Sequence, residues 1–553
     1  MNQFSVPVLG SQWFGRSMKI DPKTRPPLEG ERFQVIVIGG GINGVAIARE
    51  CARGGKRTLL VEQHDFASGT TSRSTRIIHG GLRYLEHAEI GLVRESLRER
   101  ERLVRKKPHL VHPMRFVLAL DEKSRRSALL VRAGLWIYRR LGGRGLRPES
   151  AKEDQRKLEL LLDSGRRWSI FSFEDAQCEF PERLVADWVV EALEAGAVVR
   201  NHSQVLAVDI RHKRATGVLL RDRLSGKEER LEASWVVNAA GPWVDRVCWQ
   251  SQIHTKQAMV GGVRGSHIVL PRFAGMPEAA LYTEAVDGRP FFVIPWNEQV
   301  LVGTTEVPDR GDPAKAQPSA DEIEYLLKST LQLFPRAGIS PRDIRCSFAG
   351  IRPLPFSDNV SLSAVTRKHY LHDHADDGAE RMISVIGGKL TTAAELAREC
   401  ARKIGVRRKS TEEFGVACEG QLEPMLDRWT DQVSATGGIG QAAAAAVVEW
   451  HGRRSLEIAH MARSSAEMRA PLCPHTQHIV AEAAYAFAIE CAATLGDVLL
   501  RRVPAALGAC WSHDCARQAA VRVSAVMQWT EREVSAELDV FEKERAAFLH
   551  KGL

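Results

Sequence analysis

No run of about 18 uninterrupted apolar residues occurs in the 553-residue chain, so no segment is expected to span a membrane. The opening MNQFSVPVLGSQWFGRSMKI lacks the basic-then-apolar order of a secretory signal, and cytosolic residence follows as an expectation. Ten cysteines are scattered without a C-x-x-C pair. Cys510 and Cys515 are the closest together, and no histidine cluster beside them completes a zinc site, so reduced structural thiols and no metal are expected. Internal repeats and low-complexity tracts are absent as well; AAAAA at 442–446 is simply a good helix former. What remains is an ordinary globular composition, 44% hydrophobic and 26% charged, in a chain too long for one compact core. Two or three domains are expected.

The net charge of +9 is unevenly spread. Residues 121–150 carry eight Lys or Arg against three acids, which is +5 from one short segment. Drawn as a helix, Leu130, Gly134, Ile137 and Leu141 form one stripe, with Arg125, Arg132, Arg139 and Arg140 opposite. That pattern suits an amphipathic helix on an anionic lipid surface, and equally a core-packed helix with a solvated basic face. No nucleic-acid motif accompanies the charge, so no nucleic-acid partner is expected.

The strongest local signal is VIVIGGGING, Val35 to Gly44. Gly39, Gly41 and Gly44 fit G-x-G-x-x-G between a β-like run and the helix-like VAIARECARGG. The first glycine makes a tight turn, the second lets backbone approach a pyrophosphate, and the third permits close helix–strand packing. The helix N-terminus then offers N–H groups and a positive dipole end to the anion. Thr58 to Val61 reads as the second strand, ending at Glu62 where a ribose-binding acid belongs. A dinucleotide site is expected here; by itself the motif does not separate NAD from FAD.

Three further segments favour FAD over NAD. DFASGTTSRSTRIIHGGLRYLE crowds Ser68, Thr70, Thr71, Ser72, Ser74 and Thr75 into a loop able to hydrogen-bond a ribityl chain, a pyrophosphate and a flavin edge. WVVNAAGPW (235–243) puts small residues, including Ala240 and Gly241, after a strand. Gly387, Gly388 and Lys389 lie at the mouth of a helix, whose positive end favours negative charge on a reduced flavin.

The chain resembles the FAD-dependent, quinone-linked aerobic glycerol-3-phosphate dehydrogenases, within the wider D-amino-acid-oxidase-like flavoproteins. IHGGLRYLEH (78–87) and LVRESLRERERL (92–103) carry the resemblance most specifically. RGSHIVLPR (264–272), FFVIPW (291–296), VGTTEV (302–307), AGIRPL (349–354) and VIGGKLTT (385–392) support it, over about residues 33–400. LGDVLLRR (495–502) matches the family's C-terminal domain more loosely, and the stretches 145–180 and 404–440 do not match closely.

The resemblance implies a discontinuous Rossmann-type α/β domain for FAD (33–105, 190–250 and 340–405) and a β-rich, antiparallel-sheet substrate domain (106–189 and 251–339). A C-terminal all-helical domain (406–553) follows, and an irregular extension (1–32) precedes. The implied reaction oxidises sn-glycerol 3-phosphate to dihydroxyacetone phosphate, with hydride leaving C2 for FAD and electrons passing to a membrane quinone. An FAD oxidase using oxygen shares these motifs, and a related flavoprotein acting on another small hydroxy or amino acid is a further rival. A flavoprotein fold retained as a redox sensor without turnover is the non-enzymatic alternative, disfavoured by its full cationic set.

By resemblance Arg83, Tyr84, His267, Thr304, Arg352 and Lys389 line the substrate pocket. Arg352 faces the reacting end of the substrate, Arg83 and His267 take the phosphate or the hydroxyl proton, and Lys389 also sits by the flavin's pyrimidine end. A neutral histidine is the easier general base near pH 7. The implied cofactor set adds Ile42, Asn43, His79, Gly80, Gly81, Val205, Leu390 and Thr391 to the residues already named. Attachment to the inner face of the cell membrane through the basic segment, and a homodimer, complete the expectations.

Overall fold

The computed structural model describes residues 23, 25–142, 148–274, 276, 278–357, 365–406 and 422–550. The expected extension therefore lies mostly outside the described residues, as do Arg144 and Arg147 of the basic segment.

Strand Arg32–Ile38 is buried on both faces from Val35 onward, as a central parallel strand must be. It pairs in parallel with Thr58–Val61 on one side and Glu228–Asn238 on the other. Val198–Arg200 and Met382–Ile386 extend the parallel array, and Tyr370–Asp373 closes one edge antiparallel. Helix Ile42–Arg53 leaves the first strand through the glycine turn and packs against helices Pro181–Glu194 and Ala393–Lys403. The hairpin Ser203–Arg211/Arg214–Asp222 pairs onto the start of Glu228–Asn238.

The second sheet has nine strands and is almost wholly antiparallel. Its spine is Val260–Pro271, flanked by Gln299–Gly303 and Cys346–Pro355. Register matters here, because it sets Val263 opposite Arg352 and His267 opposite both Gly303 and Phe348. Three motifs distant in sequence thus meet on one patch of sheet. Ile77–Ile78 and Cys346–Pro355, which the sequence grouped with the nucleotide segments, pair within this second sheet instead. Helix Ala320–Leu333, begun by a Ser319–Glu322 capping box, covers one face of the sheet with its apolar side.

Helix Ile90–Lys106 is rich in charge, yet not all of that charge is solvated. Glu101 and Arg105 do pair at 3.2 Å, but Glu95 turns its Oε1 into the interior with no hydrogen-bond partner rather than meeting Arg98. Glu99 and Arg100 are buried, paired with Arg398 at 2.7 Å and Asp175 at 2.6 Å. A charge pattern cannot reveal that its partners arrive from other elements.

The basic segment folds as helix Ala128–Arg140, capped by the Ser127 side chain. Its core-facing residues are Val131, Leu135 and Tyr138; of the expected stripe, Leu130 and Ile137 are exposed and Leu141 packs against the core. The opposite face exposes Leu129 (77%), Leu130, Trp136 (63%) and Ile137 among Arg132, Arg139 and Arg140. Arg125 precedes the helix and hydrogen-bonds the Asp287 carbonyl. Among the described residues no helix is long and apolar enough to cross a membrane.

From residue 422 to 550 the chain is helical, as expected. Its attachment is polar as well as apolar. Arg183 makes a buried bidentate pair with Glu490 at 2.9 Å, and Arg502 reaches both Asp65 oxygens at 2.7 and 2.8 Å.

Candidate active site

Two adjoining cavities occupy the space between the sheets. The larger, about 780 Å³, opens at the C-terminal ends of the parallel strands, where ligands bind in open α/β sheets. At Gly39, φ is +106°, and a Cβ there would lie 2.5 Å from the Ala239 carbonyl oxygen. A Cβ on Gly44 would come within 1.8 Å of the Gly39 carbonyl oxygen, so the third glycine acts by helix–strand packing rather than by touching a ligand. No side chain caps the helix at Gly41, and Thr71 Oγ1 accepts from the Ile42 N–H at 3.1 Å.

Glu62 ends the second strand, with Gly40 N–H donating to its Oε2 at 2.7 Å and His64 N–H to its Oε1 at 2.9 Å. Burial raises its pKa against the pull of those donors. Ile42, Asn43, Ser68, Thr70, Thr71, Ser72, Ser74, Val205, Ala240, Gly241, Gly388, Lys389 and Leu390 line the same cavity with Gly39, Gly41 and Glu62. Asn43 donates to the Gly387 carbonyl at 3.3 Å, while its buried Oδ1 has no partner. Close backbone approach, a glycine-led helix N-terminus, a strand-end carboxylate and an orphaned amide oxygen together fit a dinucleotide of FAD type.

Not every hydroxyl of the loop is available to a ligand. Ser72 donates to the Ala67 carbonyl at 2.5 Å and Thr70 to the Ile351 carbonyl at 2.7 Å. The far wall came as no expectation: Thr494, Arg501, Glu537, Glu544 and Phe548 of the helical region face this cavity. Arg501 pairs with Asp65 and also with Glu544 at 2.7 Å.

The smaller cavity, about 540 Å³, collects all six residues expected around the substrate: Arg83, Tyr84, His267, Thr304, Arg352 and Lys389. His79, Gly81 and Thr391 line this cavity rather than the larger one. Gly80 lines neither; its N–H is taken by Tyr138 Oη at 2.9 Å and Asp175 Oδ1 at 3.2 Å behind the wall. Gly387, Gly388, Lys389 and Leu390 border both cavities and so form their junction.

Arg352 donates to Thr304 Oγ1 at 2.9 Å and to the Thr305 carbonyl at 3.3 Å, with Glu306 3.7 Å away. Burial lowers its pKa to about 10, so it stays cationic at neutral pH. His267 stacks on Phe348 at 5.0 Å, with its Nε2 3.0 Å from Thr75 Oγ1 and its Nδ1 buried without a partner. Burial, reinforced by Arg352 and Arg76, lowers its pKa to about 3. Lys389 sits over the Tyr84 ring at 4.1 Å and donates to Ser96 Oγ at 3.4 Å. Burial brings its pKa down to about 7 despite Glu95 and Glu89. Tyr84, pushed up to about 12 by burial, stays protonated.

Sequence reasoning missed Arg289, Arg367 and Glu306. Arg367 Nη2 donates to Glu306 Oε1 at 2.9 Å, while its buried Nη1 has no partner; Arg289 Nη1 donates to the Glu306 carbonyl at 3.2 Å. Seven Arg or Lys border the cavity against three acids, among the described residues. A pocket with that surplus and an unused guanidinium donor suits a small polyanion.

Comparison with known proteins agrees. The family described as FAD dependent oxidoreductase matches residues 34–394, and the C-terminal domain of alpha-glycerophosphate oxidase matches 381–534. A glycerol-3-phosphate dehydrogenase of Synechocystis is 35% identical over 505 residues, 87% of this chain and 90% of its own. The aerobic glycerol-3-phosphate dehydrogenase of Escherichia coli is 36% identical, covering 68% of this chain and 74% of its own. A D-erythritol 1-phosphate dehydrogenase of Brucella abortus is 38% identical over 67% of this chain and 73% of its own. Among solved structures, the FAD complex of a Bacillus halodurans glycerol-3-phosphate dehydrogenase superposes with TM-score 0.73 at 23% identity, over 94% of this chain and 96% of that one.

Proposed function

The chain belongs to the FAD-dependent oxidoreductase family, and on that premise we propose that it oxidises sn-glycerol 3-phosphate at C2 to dihydroxyacetone phosphate. The observation that carries the reading is the cation-lined cavity joined to the dinucleotide cavity at Gly387–Leu390. Bound FAD supplies the two-electron acceptor. The residues supply everything else. The unused Nη1 of Arg367, with Arg83, holds the phosphate; the planar Arg352 fork, fixed by Thr304, orients the C2 oxygen.

Lys389 takes the hydroxyl proton. With a pKa of about 7, its amine is half neutral at neutral pH, the condition that favours general-base transfer. This departs from the sequence expectation of a histidine base. Burial at the sheet makes His267 neutral but far less basic, which suits orientation of the substrate. The ammonium formed on Lys389 then stands at the junction of the cavities, where positive charge favours the reduced cofactor.

The electron acceptor in this reading is a quinone in a membrane whose surface the protein touches. Helix Ala128–Arg140 supports it, because Leu129, Leu130, Trp136 and Ile137 are exposed and ringed by arginines. Apolar side chains enter the headgroup boundary while the guanidiniums meet anionic lipid at the cytoplasmic face.

The test is spectroscopic. Anaerobic addition of sn-glycerol 3-phosphate should bleach the flavin band at about 450 nm, and a quinone analogue should restore it. A band untouched by sn-glycerol 3-phosphate but bleached by D-erythritol 1-phosphate would reassign the substrate. Rapid restoration by oxygen alone would make the enzyme an oxidase.

A further inference from the structure

Outside the lining of either cavity, the helical region gathers three candidate metal ligands that the sequence leaves scattered, with a further cysteine beside them. Cys473 and His475 lie on the loop between Pro471 and Ile479, and Cys515 lies in the first turn of helix His513–Met527. The loop is closed by the Pro471–Ile479 bridge and by Leu472 N–H donating to the His478 carbonyl at 2.8 Å. The donor atoms of Cys473, His475 and Cys515 all lie within 4.8 Å of one another. Cys510 adjoins this trio without joining it: its exposed side chain points its Sγ at the His475 carbonyl, 3.8 Å away, while Cys515 Sγ lies 3.8 Å from the Cys510 carbonyl.

We propose that Cys473, His475 and Cys515, with exposed Cys510 turning in as the fourth ligand, form a structural zinc site that clips the 471–479 loop to the start of helix His513–Met527. The donor set is that of closed tetrahedral sites, three thiolates and one imidazole. Zn–S and Zn–N bonds of about 2.3 and 2.0–2.1 Å put sulfur and nitrogen ligands about 3.5 Å apart in a tetrahedron. His475 Nδ1 stands 3.4 Å from Cys515 Sγ. The helix end adds a second fitting feature: Ser512 caps it, and Cys515 sits where the positive dipole favours a thiolate. Cys473 and Cys515 are buried, whereas His475 and Cys510 are exposed and leave an entry path for the ion. Binding releases the three thiol protons and leaves a site of net charge −1, since Zn²⁺ meets three thiolates and a neutral imidazole. The alternative use of these thiols, a disulfide, would need only two of the four ligands and no histidine.

The experiment uses the full flavoprotein, expressed with zinc in the medium and purified without chelator. Elemental analysis should find one zinc per chain, and X-ray absorption at the zinc edge should show a sulfur-dominated shell at about 2.3 Å. The double variant C473S/C515S should lose the metal. H475N alters an exposed side chain, and it should weaken zinc binding by more than the roughly 10- to 100-fold seen for second-shell partners. Retention of the flavin spectrum by H475N keeps the comparison valid if the double variant does not fold. Absence of zinc that persists on titration with the metal, full retention of zinc by H475N, or a Cys473–Cys515 or Cys510–Cys515 disulfide in the purified chain would each overturn the proposal.

Discussion

Lys389 Nζ lies 4.1 Å from the centroid of the Tyr84 ring, so this lysine at the junction of the two cavities is held by a π face and a hydroxyl rather than by a carboxylate. That choice of neighbour sets its chemistry. A buried carboxylate in contact would lock the ammonium; an aromatic face leaves burial in command and the proton easy to remove.

The pH profile of kcat/KM follows from it. With the neutral amine as the proposed active form, the rate should rise with pH through about 7 and level above it. Replacing Lys389 by Met should lower kcat by roughly 10²- to 10⁴-fold and remove that limb. A limb that survives in Lys389→Met with its midpoint unchanged would return the base role to another residue.

Arg367 should matter only for the phosphate. Removing a charged hydrogen bond costs about 1.5–3 kcal/mol, so Arg367→Ala should lower kcat/KM for sn-glycerol 3-phosphate by roughly 10- to 150-fold. Turnover of unphosphorylated glycerol, measured at high concentration, should be nearly the same in the variant and the parent. Equal losses on both substrates would place Arg367 elsewhere in the cycle.

Gly44→Ala tests the glycine turn. The added methyl has no room beside the Gly39 carbonyl, a backbone atom that cannot step aside without displacing the helix. The variant should purify with little or no flavin and fail to recover it on incubation with FAD, as read from the visible spectrum.

Surface contact is separable from chemistry. Leu129→Glu with Trp136→Glu should abolish co-sedimentation with anionic vesicles while leaving turnover with a soluble dye acceptor unchanged. Added salt should weaken binding of the parent protein, since its arginines are screened within about 10 Å at 0.1 M. Vesicle binding that the double variant retains would move the contact to another face.

What was legible in the sequence had local causes. The turn at Gly39, the strand ending at Glu62 and the helix from Ile42 each depend on a few adjacent residues, and they fold as read. The six residues expected around the substrate sat in distinctive motifs, and the structure brings them to one cavity. Arg367 and Glu306 escaped because an isolated charge gains meaning only when β pairing and a returning loop set it beside another. The helix Ala128–Arg140 was read in the right place with its apolar stripe on the wrong face. Periodicity gives the angle between stripes, while the sheet beneath decides that Val131, Leu135 and Tyr138 point inward. The cysteines escaped for the same reason, since Cys473 and Cys515 meet only after helix Val480–Ala488 packs against helix His513–Met527.

The Arg501–Asp65 and Arg502–Asp65 pairs have a consequence for assembly. Asp65 sits three residues beyond Glu62, and both arginines belong to the helical region that also walls the larger cavity. Cofactor affinity and the docking of that region are therefore one linked equilibrium, and each must strengthen the other by the same factor. Flavin-free protein should open first at this seam, and a chain ending before the helical region should be unable to keep its cofactor however well its parallel sheet folds.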